Sequence, residues 1–255
     1  MKALLLAGGT GTRLQPLTKF IPKCLAPVRG RPLLDYWIAA LVESGISEIL
    51  INTHYLSHLV EFYVKNSSWK NNVTLINEPT LLGTGGTISE NKFFFDNEDF
   101  LVAHADNVFN FDFKALIQSH KNKEPTAIAT MLLFNTDEPS LCGVVKIDDR
   151  MLIQEFDEKN KSLQGRFLAN AAIYIFNNEI FSTLETLKNP IDISLDIIPK
   201  ILGRINGCIH PKEIIDIGNL SSWNQANFHP DFLATDFLEK NKKSWHELLK
   251  SIPAS

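Results

Sequence analysis

A glycine-rich loop that ends in an arginine is the first feature of this chain able to do chemistry. Residues 7–13 read AGGTGTR and follow an apolar run, which places Gly8, Gly9 and Gly11 ahead of Arg13. Glycines let the backbone approach a ligand closely, and exposed N–H groups in such a loop favour an anion. Arginine adds a planar donor suited to bidentate phosphate contact. The loop therefore predicts a phosphate-binding site.

Two common phosphate loops do not fit this segment. The P-loop needs a glycine-lysine pair, whereas Thr12 and Arg13 follow Gly11 here. The dinucleotide fingerprint needs a third glycine at the position that Leu14 occupies. Taken alone, the segment is also compatible with a glycine-rich turn that binds nothing.

Alternating apolar and amphipathic segments place this loop in a fold. A parallel sheet with helices on both faces is predicted, because strand and helix patterns succeed one another along the first hundred residues. In such a sheet ligands bind at the C-terminal ends of the strands, where AGGTGTR lies. The predicted strands cover 2–8, 48–54, 72–78 and 99–106. The predicted helices cover 32–45 and 55–66, and residues 83–94 are predicted as a loop that enters a helix.

The pattern changes near residue 125 from alternation to a succession of strands. Strands are predicted over 126–134, 143–148, 151–159, 167–177 and 214–218, a helix over 194–203, and a polar helical tail from Ser221. No hexapeptide repeat is visible, so no left-handed β-helix is expected. We predict one α/β domain over 1–255, with halves at 1–124 and 125–220 and a tail at 221–255.

Composition narrows the class of protein. The 255 residues carry 25 basic and 29 acidic side chains and a net charge of -4, which gives no electrostatic footprint for nucleic acid or an acidic membrane. Three dispersed cysteines favour a reduced, cytoplasmic protein. His54 and His58 lack the glutamate of a zinc-protease helix, so a zinc site is not expected.

The residues after the loop extend its pattern. GGTGTRLQPLT followed by the Pro22-Lys23 pair resembles the family of sugar-1-phosphate nucleotidylyltransferases, and the resemblance continues to about residue 226. It implies a Rossmann-like, mostly parallel sheet flanked by helices, with an inserted sugar-binding half after the nucleotide-binding half. It also implies the reaction of an NTP with a sugar 1-phosphate to give an NDP-sugar and pyrophosphate, with Mg²⁺.

The resemblance assigns a role to each nucleotide-side residue. Arg13 matches the arginine that steadies the leaving pyrophosphate, and Lys23 the lysine that contacts the reacting phosphates. Fixed cations would lower the cost of bringing two phosphates together. EPTLLGTGGTI at 78–88 resembles the segment that holds base and ribose. The implied nucleotide-binding residues are Leu6, Ala7, Gly8, Gly9, Gly11, Thr12, Glu78, Gly83, Thr84 and Gly85.

Two aspartates match the metal ligands of the family. Asp106 ends the segment VAHAD, where Ala105 replaces the usual glycine, and Asp216 lies in IIDIG. Mg²⁺ is usually held by one or two carboxylates together with phosphate oxygens. Each aspartate alone could equally be a turn cap, and Asp106 would also lie near the sugar.

The sugar side is implied by four further matches. FDEKN resembles F-x-E-K-P, so Glu158 would bind sugar hydroxyls and Lys159 the sugar phosphate, although Asn160 replaces the proline. Gly143 matches the glycine of Y-G-V. Asn170 matches N-A-G-I-Y, in which Ala172 replaces the glycine and would narrow the accepted sugar.

Choice of base stays open at this point. LGTGGTI resembles members that transfer guanylyl to mannose or heptose 1-phosphate, which predicts GTP as the nucleotide partner. Alternatives are uridylyl transfer to an amino-sugar 1-phosphate, cytidylyl transfer to phosphocholine, and a non-catalytic regulator that binds an NDP-sugar. The pattern does not determine the oligomeric state, and it is compatible with a homo-oligomer.

Overall fold

Strands and helices alternate over the first hundred residues of the computed structural model, which describes residues 1–210, 214–228 and 241–251. The strands are β1 Lys2–Leu6, β2 Pro27–Val28, β3 Arg31–Pro32, β4 Ile49–Thr53, β5 Val73–Asn77, β6 Phe100–His104, β7 Asn107–Val108, β8 Ala129–Thr136, β9 Gly143–Ile147, β10 Ile153–Glu158, β11 Phe167–Phe176, β12 Ile205–Ile209 and β13 Ile215–Asp216. The α-helices are α1 Leu33–Glu43, α2 Ser57–Asn66, α3 Thr84–Glu90, α4 Phe113–Lys121, α5 Ile180–Leu184, α6 Leu220–Phe228 and α7 Lys242–Ser251.

The chain divides into two compact units that interleave along the sequence. The loop unit comprises Ala3–Leu81, His104–Asn110 and Ile214–Ser255, and the strand unit comprises Met1–Lys2, Leu82–Ala103 and Phe111–Glu213. Both units draw on residues from either side of position 125. The division at 124 and 220 inferred from the sequence stays a prediction about function.

The loop unit is built on three parallel strands. Strand β1 pairs with β4 from Ala3 opposite Ile49 to Leu6 opposite Asn52, and β4 pairs with β5 along its whole length. Both β1 and β4 are largely apolar and buried, as expected for a parallel sheet covered on its faces. Since β1 ends at Leu6, the glycine-rich loop begins at the C-terminal end of the first strand.

A buried carboxylate joins the helices of the loop unit. Asp35, in the first turn of α1, is fully buried, and its Oδ1 accepts hydrogen bonds from the Tyr63 hydroxyl at 2.5 Å and the Trp69 indole at 2.8 Å. The Asn241 amide, just before α7, donates to the same oxygen at 3.3 Å. Trp245 of α7 packs edge-on against the Tyr63 ring. These contacts fix the C-terminal helix to α1 and α2.

The strand unit is mainly antiparallel around its longest strand. Strand β11 pairs antiparallel with β6, β8 and β9, while β10 pairs antiparallel with β9, and β12 pairs parallel with β8. The β11–β8 register shifts between Asn170 and Tyr174, which marks a β-bulge. The predicted class is therefore confirmed, with the parallel part in the loop unit and the antiparallel insertion in the strand unit.

One predicted element has a different form. The helix expected over 194–203 is wrong in type, because a π-turn covers Ile193–Ile197 and a 3-10 turn covers Ile198–Lys200. Pro199 has no N–H for an α-helical hydrogen bond, so a regular helix cannot run through this segment. Strand β12 then begins at Ile205, and neither it nor α4 was expected from the sequence.

The helical tail is found where the structure describes it. Helices α6 and α7 account for 220–228 and 242–251, whereas 229–240 and 252–255 of the predicted tail lie outside the described residues. Within the described ranges, no helix has the length and apolar character needed to cross a membrane.

Candidate active site

The glycine-rich loop is shaped by its own residues. Gly11 has a φ of 62°, and its carbonyl accepts hydrogen bonds from the Leu14 N–H at 2.9 Å and the Thr18 hydroxyl at 2.7 Å. A Cβ at Gly11 would lie 2.9 Å from Thr18 Cγ2, whereas a Cβ at Gly9 would meet nothing within 4 Å. Gly11 is thus required by the loop itself, and Gly9 leaves open space beside it.

Asn52 ties the start of this loop to Glu78. Its Oδ1 accepts a hydrogen bond from the Ala7 N–H at 2.8 Å, and its Nδ2 donates to Glu78 Oε1 at 3.1 Å. Both side chains are buried, so the Glu78 carboxylate has a structural role at this position. A Cβ at Gly8 would lie 3.2 Å from Asn52 Nδ2. Sequence reasoning missed Asn52, although an amide inside the apolar run ILIN was the available signal.

Lys23 and two aspartates form the charged centre of the loop unit. The Lys23 Nζ donates to Asp106 Oδ2 at 2.8 Å and to Asp216 Oδ1 at 2.7 Å. The lysine side chain is 10% exposed, while the aspartates are 35% and 52% exposed. The structure therefore brings together three predicted site residues that come from distant parts of the sequence.

A two-stranded ladder holds the aspartates side by side. Strand β7 pairs antiparallel with β13, with Asn107 opposite Asp216. The Ile217 N–H points to the Asp106 carbonyl at 3.4 Å, and the Ala105 N–H donates to the Leu6 carbonyl at 3.0 Å. Ala105 is fully buried, so the protein accommodates the methyl group that replaces the family's glycine. The ladder places Asp106 directly after β6 and beside the end of β1.

The charges of the cluster shift the pKa values of Asp106 and Lys23. Burial alone would raise the pKa of the Asp106 carboxyl, but the charges of Lys23 and His104 outweigh burial and lower it. Burial likewise opposes the charged form of Lys23, and the two aspartates outweigh burial and raise its pKa. The cluster is therefore an ammonium held between carboxylates.

Arg13 lies at the exposed edge of this cluster. Its guanidinium is 74% exposed, with Nη2 3.8 Å from Asp216 Oδ2. A Cβ at Gly218 would come within 3.0 Å of the same Nη2 and 2.7 Å of Asp216 Oδ2. Gly218 thus leaves room for both charged groups, which gives a steric reason for the glycine of IIDIG. Arg13 itself is placed to meet an incoming anion.

A cavity of about 170 Å³ opens beside these charges. Its walls combine the backbone of the glycine-rich loop with the cations and one aspartate, so it can receive an anionic group. The residues that line it are Leu6, Ala7, Gly9, Gly11, Thr12, Arg13, Lys23, Cys24, Ala105, Asp106 and Gly218. Most of the predicted loop residues are thereby gathered around one space, whereas Gly8 and Glu78 are not among the residues that line it.

Asp106 and Asp216 fit a divalent cation. Among the described residues no group of three or more His, Cys, Asp or Glu side chains is arranged to hold a metal, so these two carboxylates would be the protein's whole contribution. Mg²⁺ accepts such a partial set because phosphate oxygens and water complete its octahedron. The Lys23 ammonium already lies on both carboxylates, which shows that they can share one cation.

In the strand unit, the charged groups of Glu158 and Lys159 lie close to each other. A Cβ at Gly143 would lie 2.5 Å from Glu158 Oε2, so this glycine makes room for the carboxylate across the β9–β10 pair. Lys159 has a φ of 53°, and its Nζ lies 3.2 Å from Glu158 Oε1. Successive side chains of a regular strand point to opposite faces. The left-handed backbone of Lys159 allows its side chain to approach that of Glu158.

Asn160 maintains the turn that proline makes elsewhere in the family. Its Nδ2 donates to Asp157 Oδ2 at 2.6 Å, and its Oδ1 accepts from both the N–H and the hydroxyl of Ser162, at 2.9 Å and 2.6 Å. Asparagine side chains commonly fix turns through such local hydrogen bonds. The missing proline therefore leaves the turn after Lys159 intact.

Asn170 is oriented by the β-bulge of β11. Its Oδ1 accepts from the Ala172 N–H at 2.9 Å, and its Nδ2 donates to the Tyr174 hydroxyl at 2.7 Å. Ala172 has a φ of 55°, the region that glycine prefers, which explains why glycine is usual at this position. Burial raises the pKa of the Tyr174 phenol, so Tyr174 is a neutral hydrogen-bond partner. Sequence reasoning did not single it out.

Gly83, Thr84 and Gly85 pack against one segment of the strand unit. A Cβ at Gly83 would overlap the Ile191 carbonyl, and one at Gly85 would lie 2.7 Å from Ile191 Cγ2. The Thr84 hydroxyl accepts from the Ile193 N–H at 2.8 Å. Both glycines therefore have a packing reason within this unit. Their predicted contact with a nucleotide stays a prediction.

The chain is similar to known proteins in sequence and in fold. The family model for nucleotidyl transferases matches residues 2–230. A Drosophila melanogaster relative, the catalytic subunit beta of mannose-1-phosphate guanylyltransferase, is 34% identical over 206 residues, which cover 78% of this chain and 54% of the relative. The chain thus spans about half the length of that curated relative.

Two solved structures match most of the chain. A Bacillus anthracis protein assigned as a glucose-1-phosphate thymidylyltransferase, in complex with a sucrose, has a TM-score of 0.81 and 25% identity, covering 94% of this chain and 99% of its own. HddC from Yersinia pseudotuberculosis, complexed with GMP-PN, has a TM-score of 0.73 and 26% identity, covering 89% of this chain and 97% of its own.

Proposed function

The chain belongs to the nucleotidyl transferase family, and on that premise we propose that it transfers a nucleotidyl group from an NTP to a sugar 1-phosphate. More narrowly, we propose GTP and a mannose- or heptose-type 1-phosphate as the substrates. One observation carries the reaction class: Lys23 joins Asp106 and Asp216 beside a cavity walled by the glycine-rich loop.

The loop unit would bind the triphosphate. Backbone groups around Gly9 and Gly11 can approach it closely, and the Lys23 ammonium can neutralise its reacting phosphates. Arg13, exposed at the edge of the cavity, would neutralise the departing pyrophosphate through a bidentate contact. A bound Mg²⁺, held by Asp106 and Asp216, would withdraw charge from phosphate oxygens.

The strand unit would bind the sugar 1-phosphate. Lys159, whose ammonium is 67% exposed, would hold its phosphate, and Glu158 and Asn170 would accept and donate hydrogen bonds to the sugar hydroxyls. A phosphate oxygen of this substrate would then displace pyrophosphate in line from the α-phosphorus. Because each residue acts by positioning or by charge, no covalent enzyme intermediate is required.

We propose guanylyl transfer for three reasons. The Drosophila relative is named for guanylyl transfer to mannose 1-phosphate, and the solved HddC structure holds GMP-PN. The segment LGTGGTI points the same way. Thymidylyl transfer to glucose 1-phosphate is the second candidate, which the assignment of the Bacillus anthracis protein favours. The dispersed cysteines support a cytoplasmic location for either reaction.

A substrate panel tests the proposal. Four NTPs are assayed against a set of sugar 1-phosphates, with pyrophosphate release as the readout. We expect GTP with mannose- or heptose-type 1-phosphate to be turned over fastest. Asp106→Asn and Asp216→Asn should abolish turnover, whereas Lys19→Met, which removes an exposed lysine of the same unit, should leave it unchanged. Silence across the whole panel would favour a regulator that binds NDP-sugars.

A further inference from the structure

The Lys23 ammonium lies where a divalent cation would have to bind. Its Nζ contacts Asp106 Oδ2 at 2.8 Å and Asp216 Oδ1 at 2.7 Å, the two carboxylates proposed to hold the metal. The lysine backbone is held in the 3-10 turn Lys23–Leu25, where the Ala26 N–H donates to the Lys23 carbonyl at 2.9 Å. The ammonium is therefore brought to both carboxylates by a fixed backbone.

In this position the Lys23 ammonium is committed mainly to the two aspartates. An ammonium has three donors, and two of them are used by Asp106 and Asp216. One donor is left for a phosphate in the cavity that Lys23 lines, so a fuller contact with the reacting phosphates requires Nζ to leave the aspartates. A four-carbon stem with free rotation permits that movement without a change in the backbone.

We propose that Lys23 and the divalent cation compete for Asp106 and Asp216, so that the free protein keeps its metal site closed with its own lysine. The phosphates of the nucleotide open the site, because they offer the ammonium a new anionic partner as the cation takes its place. Metal and nucleotide then bind cooperatively. This inference rests on the proposed function for the identity of the two metal ligands.

Charge explains why the exchange must be coupled. Two carboxylates and one ammonium carry a net charge of -1, and Arg13 lies 3.8 Å from one of the carboxylates. A divalent cation that entered while Lys23 stayed would face a like charge within a few ångströms, which opposes binding. Removal of the ammonium makes binding of the divalent cation electrostatically favourable, because both aspartates are then available to it.

Mn²⁺ binding in the absence of any substrate tests this competition. Electron paramagnetic resonance measures free Mn²⁺ in titrations of the wild type, Lys23→Met, Lys23→Arg and the surface control Lys19→Met. We expect Lys23→Met to bind Mn²⁺ more tightly than the wild type by about tenfold or more, since a competing charge is gone. Lys23→Arg and Lys19→Met should bind as weakly as the wild type, and Lys23→Met/Asp106→Asn should lose the gain. Equal or weaker binding by folded Lys23→Met overturns the proposal.

A second measurement covers the case in which Lys23→Met fails to fold. Acetylation of Lys23 by acetic anhydride is followed by mass spectrometry in the wild type, with Lys19 as the internal reference. Adding Mg²⁺ together with inorganic pyrophosphate should change the acetylation of Lys23 relative to pyrophosphate alone, because the cation releases the ammonium from the aspartates. If the acetylation of Lys23 relative to that of Lys19 is the same with and without Mg²⁺, the proposed exchange is wrong.

The Mn²⁺ titration is independent of turnover. A chain that releases no pyrophosphate with any substrate, yet binds Mn²⁺ more tightly as Lys23→Met, loses the proposed reaction and keeps the competition. If the wild type is active but Lys23→Met binds Mn²⁺ no more tightly than the wild type, the proposed reaction stands and the proposed competition is wrong.

Discussion

Two glycines of the same loop should respond in opposite ways to an added methyl group. Gly9 and Gly11 are two positions apart, and both line the cavity. The structure gives Gly11 a conformational role within the loop, whereas the side-chain position of Gly9 is open. Gly11→Ala should therefore damage the fold, and Gly9→Ala should damage nucleotide binding alone.

The size of each effect follows from the backbone and from the nearest atoms. At Gly11, a left-handed φ of 62° costs an alanine about 1–2 kcal/mol. The new Cβ would also lie 2.9 Å from Thr18 Cγ2, and overpacking of this kind costs about 1–3 kcal/mol. Alanine recovers about 0.4–1 kcal/mol by restricting the unfolded chain. The net loss at Gly11 is about 3 kcal/mol, whereas Gly9→Ala keeps only the small gain.

Urea denaturation and nucleotide titration of the two variants separate these effects. Gly11→Ala should unfold at lower urea than the wild type, and Gly9→Ala at an equal or slightly higher concentration. Folded Gly9→Ala should bind GTP about tenfold more weakly or worse, because its methyl group takes space beside the phosphates. The reasoning fails if Gly9→Ala is as unstable as Gly11→Ala, or if it binds GTP as well as the wild type does.

Three other changes have outcomes that the structure specifies. Ala172→Gly should raise the free energy of unfolding in urea by about 0.5–1 kcal/mol, since it relieves a φ of 55°, and an unchanged midpoint would contradict that backbone. Gly143→Ala should raise KM for the sugar 1-phosphate about tenfold by displacing Glu158, with NTP affinity as the unaffected control. Burial lowers the pKa of His120 to about 4 from 6.5, so the imidazole is neutral in the folded state at pH 7. The native state then binds fewer protons than the unfolded one between these pKa values, so stability should decrease by up to about 3 kcal/mol as the pH is lowered from 6.5 to 4. His120→Gln should flatten that slope in denaturation experiments at pH 7 and pH 5.

The glycine-rich loop shows how far sequence reasoning reaches. Its place at the C-terminal end of the first strand could be predicted, because ligands bind at that edge of a parallel sheet. The involvement of Lys23 was implied only by the family resemblance. The role of each glycine could not be predicted. Gly11 is fixed by Thr18, seven positions along, and Gly8 by Asn52, and both contacts depend on packing that periodicity does not encode.

Polar side chains inside apolar strands were the main omission at the site. Asn52 and Tyr174 lie in segments whose pattern predicts buried strands, and each orients a neighbour through a hydrogen bond. Pattern rules treat such residues as tolerated exceptions. Their partners, Ala7 and Asn170, become apparent only when the strands and the bulge are in place.

The departures from the family pattern were compensated in ways that only coordinates reveal. Asn160 replaces a fixed φ with side-chain hydrogen bonds, and Ala172 adopts the left-handed conformation of the glycine it replaces. The π-turn at Ile193–Ile197 likewise depends on Asp192, whose side chain accepts from the N–H groups of Ser194 and Leu195. A helical period over the same residues gave no hint of this local capping.

The short ladder between β7 and β13 also determines when the charged site can exist during synthesis. Lys23 and Asp216 are 193 positions apart, and Lys23 and Asp106 are 83 positions apart. Contacts this distant form late, because the intervening chain must first be ordered. A nascent chain shorter than 216 residues has the glycine-rich loop, Lys23 and Asp106, but it lacks Asp216, the second of the two carboxylates that contact Lys23. The charged cluster is therefore completed only after strands β1 to β12 have been translated.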